Sequence, residues 1–255
     1  MSNFFNHKLV TAMIFGQKLV LDCSFEAEMT GRECAAVAEQ LQKLFGINRA
    51  HEEPFDLHFC SINRGSKVIQ NLQRRIPTIF DANFPTNLHE DTYLEHFPRK
   101  SLVYLTPDSP NELRSYDPDD IYILGALSDV AKYEPYTYEK AERQKIRTAK
   151  LDLSDLELNR GGRLSSLEIH QVVAVLLDLK SKVDVKEAIR RNVKALKKYE
   201  ATEIDINRPS LKHFRDSRLQ CELWGAYTML ENLKKQRMKK TIFTHKKHLL
   251  DIEDK

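Results

Sequence analysis

Two apolar stretches end in groups that can do chemistry. "DDIYILGALSD" runs through Ile121–Leu124 and then breaks at Gly125, four residues before the carboxylate of Asp129. "YLTPDSPNEL" follows an equally apolar run with Thr106, Asp108, Ser109 and Asn111, which offer hydroxyls, a carboxylate and an amide at one strand end. Loops at the carboxyl ends of parallel strands are where α/β folds usually bind ligands. If the two strands are neighbours, their loops face each other across one crevice. A plainer alternative, a turn glycine followed by a solvated or helix-capping aspartate, stays open at this level.

Other chemistries are disfavoured by what the chain lacks. There is no GxGxxG fingerprint and no phosphate-loop lysine, which argues against a dinucleotide or nucleoside-triphosphate enzyme. Cys23, Cys34, Cys60 and Cys221 form no CxxC pair, so neither a zinc site nor a disulfide framework is expected, and no metal. Histidines 51, 58, 89, 96, 170 and 213 are scattered and read as surface or packing residues.

The elements that must position these loops alternate in kind. "KLVLD" (18–22), "FDLHFC" (55–60), "SLVYLT" (101–106), "DIYILGAL" (120–127) and "RTAKLDL" (147–153) read as strands. Helical spacing marks residues 31–46, where Gly46 supplies a stop, then residues 66–76 and 136–146. "SSLEIHQVVAVLLDLK" places Ser165 and Glu168 at capping-box spacing, and residues 185–199 form a last helix of this set. Near-continuous apolar strands alternating with helices indicate an α/β fold around a mostly parallel sheet with both faces covered. Residues 1–13 read as an N-terminal segment and residues 14–199 as the main domain. Composition shifts near residue 200, and residues 200–255 read as a basic, mostly helical extension.

The chain has 255 residues, 41% of them hydrophobic, and a net charge of only +3, so charge distribution says more than its total. Residues 232–247 hold seven Lys/Arg and no acid, residues 63–80 four basics and no acid, and residues 180–198 eight basics against two acids. Residues 107–134 carry seven acids against two basics. Basic surfaces around an acidic centre suit a polyanion gripped at its periphery. Arg74, Arg75, Arg191, Lys194, Lys197, Lys198, Lys234, Lys235, Lys239 and Lys240 are the candidate contacts to such a polyanion, an RNA by the resemblance given below. No apolar run reaches the length of a membrane helix, so no membrane partner is expected. Residues 1–18 match neither an import presequence nor a secretory signal.

Five blocks carry a resemblance. "QKLVLDCSFEAEMTGRECAAVAEQLQKLFGINR", "LVYLTPDSPNEL", "YILGALSD", "IRTAKLDL" and "LEIHQVVAVLL" occur in the order found in the SPOUT-class methyltransferases that modify purine nine of tRNA. "FGQKLVLD" and "EEPFDLHFC" look most like the family's mitochondrial branch. The resemblance implies a SPOUT α/β sheet with a C-terminal trefoil knot whose loops hold S-adenosylmethionine in a bent form. It places Leu105, Thr106, Gly125, Ala149, Leu151, Gln171 and Val172 around that cofactor and makes Asp129 catalytic. It also implies a mitochondrial matrix location and a second role as a tRNA-binding subunit of mitochondrial ribonuclease P. The implied partners are precursor tRNA, a short-chain dehydrogenase-type subunit and a metallonuclease subunit with pentatricopeptide repeats. Ala126, Asp152 and Glu168 stand where the family usually has glycine, proline and threonine, and "NVKALKK" replaces an Arg-Lys-Gly signature. An active methyltransferase and a scaffold that binds precursor tRNA without methyl transfer therefore both remain expectations.

Overall fold

In the computed structural model, described over residues 2–128, 134–154, 159–160, 163–164 and 167–192, strands and helices alternate along the chain. The order is α1 (Ser2–Phe15), β1 (Lys18–Asp22), α2 (Gly31–Ala50), β2 (Asp56–Cys60), α3 (Lys67–Arg75), β3 (Asn87–Leu88), α4 (Tyr93–His96), β4 (Leu102–Leu105) and β5 (Ile121–Gly125). α5 (Tyr136–Arg143), β6 (Arg147–Ala149), an antiparallel pair of β7 (Asn159–Arg160) and β8 (Arg163–Leu164), and α6 (Ile169–Lys180) follow. Residues 185–192 are also helical.

Six strands form one sheet in the order β3-β2-β1-β5-β4-β6, and every pairing in it is parallel. Successive side chains leave the sheet on opposite sides. Leu19, Leu21, Leu57, Phe59, Val103 and Leu124 point to one face and pack on α2, α3 and α6. Val20, Tyr104 and Ile123 point to the other, where Tyr93, Phe97 and Ala141 cover them. Burial on both faces is why β4 and β5 read as nearly unbroken apolar runs.

Several sequence expectations need correction. α2 does not stop at Gly46 but runs on to Ala50. Leu41 and Leu44 are fully buried, and Asn48 anchors the extra turn by donating to the Phe55 carbonyl at 2.9 Å and accepting from the Phe55 amide at 2.7 Å. One mid-helix glycine costs only about 1 kcal/mol, too little to end a helix so anchored. α6 begins at Ile169, not after Ser165, with Glu168 at its N-cap and Gln171 Oε1 accepting the Glu168 amide. Residues 2–15, assigned no element, form α1, which seats Leu9 and Ala12 in the core. The fifth expected strand is shortened to Arg147–Ala149, and the two-residue β3 was not expected.

Ser165 lies outside the described residues, as do the boundary expected near residue 200 and the extension beyond it. The implied knot is an expectation that falls partly outside the described residues.

Candidate functional site

Register brings the expected cofactor positions together. Leu105 of β4 pairs with Leu124 of β5 on one side and with Ala149 of β6 on the other, so three adjacent parallel strands end in one row. Gly125 completes the β5 end, in register with Asp22 of β1. Beyond the strands the row continues as backbone pairing. The Thr106 amide donates to the Ala149 carbonyl at 3.0 Å, Lys150 to Asn111 at 2.8 Å, and Leu113 back to Lys150 at 2.8 Å. Leu105 and Ala149 are buried, while Leu151 and Val172 are half-buried against the same core. The result is an apolar floor of small and branched side chains at the carboxyl edge of the sheet. Gln171 sits one residue before Val172, in the first turn of α6.

Of the polar residues after β4, Thr106 and Ser109 turn inward, while Asp108 and Asn111 are exposed. Ser109 Oγ donates to Thr148 Oγ1 at 2.9 Å and accepts from the Asn111 amide at 3.1 Å. Thr106 Oγ1 lies 2.8 Å from Thr137 Oγ1 and accepts from the Asp108 amide at 3.4 Å. These hydroxyls shape the loop, so Thr106 and Ser109 bear on the site through geometry. The departures from the family pattern also have local work. The Asp152 carboxylate accepts from the Ser154 side chain and then from its amide at 2.9 Å, which together lower its pKa, and Glu168 caps α6.

Sequence reasoning missed a buried charged group beside this floor. Asp22, at the end of β1, is fully buried and accepts from Tyr104 Oη at 2.9 Å and from Lys140 Nζ at 2.6 Å. Its own carbonyl accepts from the Ala126 amide at 2.9 Å. Lys140 also donates to Ser24 Oγ at 2.7 Å and stands 5.1 Å from the Phe25 ring centre and 5.3 Å from that of Tyr93. Burial, then the Asp22 carboxylate, pushes the Tyr104 phenol well above its ordinary pKa, and the same two causes raise the Cys60 thiol to about 12. The available signal was the carboxylate that ends "KLVLD", the pattern already noted in "ILGALSD". Its partners on α5 had no signal, because polar residues on a helix read as solvated.

Two cavities lie near described residues. One of about 500 Å³ opens between Ser24, Phe25, Tyr136, Lys140 and Gln144, at the same edge as the floor. A larger one, about 1120 Å³, opens at the opposite edge among α1, Glu53, Asp119, Asp120 and Lys180. Size does not make the larger one the site, and none of the expected cofactor residues lines either cavity. Asp129 lies outside the described residues, as do Lys194, Lys197, Lys198, Lys234, Lys235, Lys239 and Lys240. Of the described RNA candidates, Arg74 is exposed, Arg75 contacts Glu39 at 3.2 Å and Gln42 at 3.3 Å, and Arg191 contacts Glu187 at 3.0 Å.

Comparison with known proteins follows the same lines. The family described as tRNA (guanine(9)-N(1))-methyltransferase TRM10/TRM10A matches residues 6–197. The mitochondrial ribonuclease P protein 1 homolog of Drosophila melanogaster is 43% identical over 185 residues, 72% of this chain and 42% of that protein. The tRNA methyltransferase 10 homolog C of Xenopus tropicalis is 37% identical over 182 residues, 71% of this chain and 40% of that protein. The chain thus spans about two-fifths of these relatives' length, 42% and 40%. The crystal structure of full-length spTrm10 with SAH superposes with a TM-score of 0.62 at 27% identity, over 69% of this chain and 94% of that one.

Proposed function

The chain belongs to the TRM10 family of tRNA methyltransferases, and on that premise we propose that it methylates N1 of the purine at position 9 of tRNA, using S-adenosylmethionine. The observation that carries this reading is the row of Leu105, Gly125 and Ala149 on three adjacent strand ends. The floor fits such a cofactor by its chemistry: buried aliphatic side chains for an adenosine, beside the small residues Gly125, Ala126 and Ala149. Bound there, the cofactor supplies an electrophilic methyl group and leaves as the neutral thioether.

The chain's own residues do the rest. Leu105, Ala149, Leu151 and Val172 exclude water and hold the adenosine, while Thr106, Gly125 and Gln171 shape the loops around it. In guanine, N1 carries a proton that must depart as the N1–methyl bond forms, and the Asp129 carboxylate accepts it as general base. In adenine, N1 already has a free lone pair, so Asp129 only orients and polarises. The target base must leave its stack to be reached, and the basic clusters hold the surrounding phosphates.

The name of the Drosophila relative supports a second role, as the tRNA-binding subunit of a mitochondrial ribonuclease P. In this reading the chain works in the matrix on precursor tRNA, beside a dehydrogenase-type subunit and a pentatricopeptide-repeat metallonuclease. Residues 14–199 would form the methyltransferase domain and residues 200–255 the basic extension.

Calorimetric titration with S-adenosylmethionine, with and without the dehydrogenase-type partner, tests the enzyme. Micromolar binding in either state is expected. Absence of binding in both would leave only the scaffold. Asp129→Asn is expected to slow methylation of guanine by about 100-fold, and of adenine by less than tenfold. Equal losses on both substrates would remove the base role.

A further inference from the structure

The inner face of α5 is polar where a covering helix is usually apolar. Thr137, Lys140 and Ala141 of α5 and its C-cap Gln144 fall at helical spacing on one face. Three of them form hydrogen bonds. Thr137 reaches Thr106 after β4, Lys140 reaches Asp22 and Ser24 after β1, and Gln144 accepts from the Tyr93 hydroxyl. Over β5 the contact is steric. A Cβ at Gly125 would stand 2.6 Å from Thr137 Cγ2 and 3.3 Å from both Phe25 Cε2 and Tyr104 Oη. The space that glycine leaves is therefore taken by Thr137.

We propose that Thr137 is a positioning residue for methyl transfer. Its methyl keys into the notch at Gly125, and its hydroxyl holds Thr106, whose amide is bonded to Ala149. One side chain thus sets the ends of β5, β4 and β6 relative to one another, and those ends are the cofactor floor. The Asp22–Lys140 pair, one turn along, keeps α5 docked whether or not Thr137 is intact. The proposal rests on the reading that this floor binds S-adenosylmethionine.

The test uses the full chain and reads cofactor affinity by calorimetry, tRNA KM, and thermal unfolding. Thr137→Val keeps the shape and loses the hydroxyl. Cofactor binding is expected to weaken about tenfold, with the melting temperature and tRNA KM unchanged, whereas Thr137→Ser stays within about twofold of wild type. Gly125→Ala is expected to weaken binding further, because its new methyl meets Cγ2 of Thr137. The pair Gly125→Ala/Thr137→Ser, which removes Cγ2 and keeps the hydroxyl, recovers most of that loss. Wild-type affinity in Thr137→Val, or no recovery in the folded double variant, overturns the proposal. Failure of the wild type itself to bind overturns the cofactor reading instead. In that event the double variant's melting temperature tests the Gly125–Thr137 fit alone, and no recovery there overturns it too.

Discussion

His170 shows how burial sets a charge state without a catalytic purpose. It is 8% exposed in the first turn of α6, and its Nδ1 has no hydrogen bond. Glu168 Oε2 lies 3.2 Å away and would favour a proton, but that side chain is 47% exposed and screened by solvent. Burial wins, helped by Lys43, and lowers the pKa from 6.5 to about 4. Between those values the unfolded chain holds a proton that the folded chain does not, so stability rises with pH across this window and is complete above its top. The shift amounts to about 3 kcal/mol lost on acidification from pH 7 to pH 4. Urea unfolding of His170→Leu at both pH values is expected to show a loss smaller by about that amount. Equal losses in variant and wild type would place the acid sensitivity elsewhere, for example at His89, whose pKa burial also lowers.

Among the elements, α2 offers a direct measure of how tertiary anchoring overrides a local stop signal. A methyl at Gly46 would meet nothing within 4 Å. Gly46→Ala is therefore expected to stabilise by about 0.5–1 kcal/mol and raise the melting temperature by roughly 2–4 °C. A lower melting temperature would mean that the glycine has a packing role. The same override separates what the sequence reveals from what it hides. β4 and β5 were legible because burial on both faces leaves them almost wholly apolar, and β1 and β2 because their apolar residues stand between helical patterns. α1 was not, because exposed Val10, Ile14 and Phe15 are as apolar as buried Leu9 and Ala12, so no face contrast announces a helix. β3 is two residues long and exists only through its pairing with β2. The floor of the site could be named from motif likeness, and the strand register brings its β4, β5 and β6 members together. The Gly125–Thr137 fit and the Asp22–Lys140 pair could not be named, since each joins residues distant in sequence whose types alone suggest turns and solvated surface.

At the scale of the molecule, charge and fold together bear on where RNA can approach. Among the described residues, Asp117, Asp119 and Asp120 precede β5 at the amino edge of the sheet, whereas Asp108 and Glu112 follow β4 at its carboxyl edge, so the acids of residues 107–134 are divided between the two. A basic count by itself overstates the grip, because some cations are already engaged. Arg75 shares its guanidinium with Glu39 and Gln42, whereas exposed Arg74, among the described residues, meets only Asn71, at 3.5 Å. Neutralising Arg74 with glutamine is expected to reduce the slope of log K for tRNA against log salt by about 0.7–0.9, the value of one phosphate contact, and Arg75→Gln by less. Replacing Lys234, Lys235, Lys239 and Lys240 together should reduce it by up to about 3. Filter-binding titrations from low to physiological salt decide the matter. An unchanged slope in the quadruple variant would remove residues 232–247 from the RNA surface and leave the grip to the folded domain.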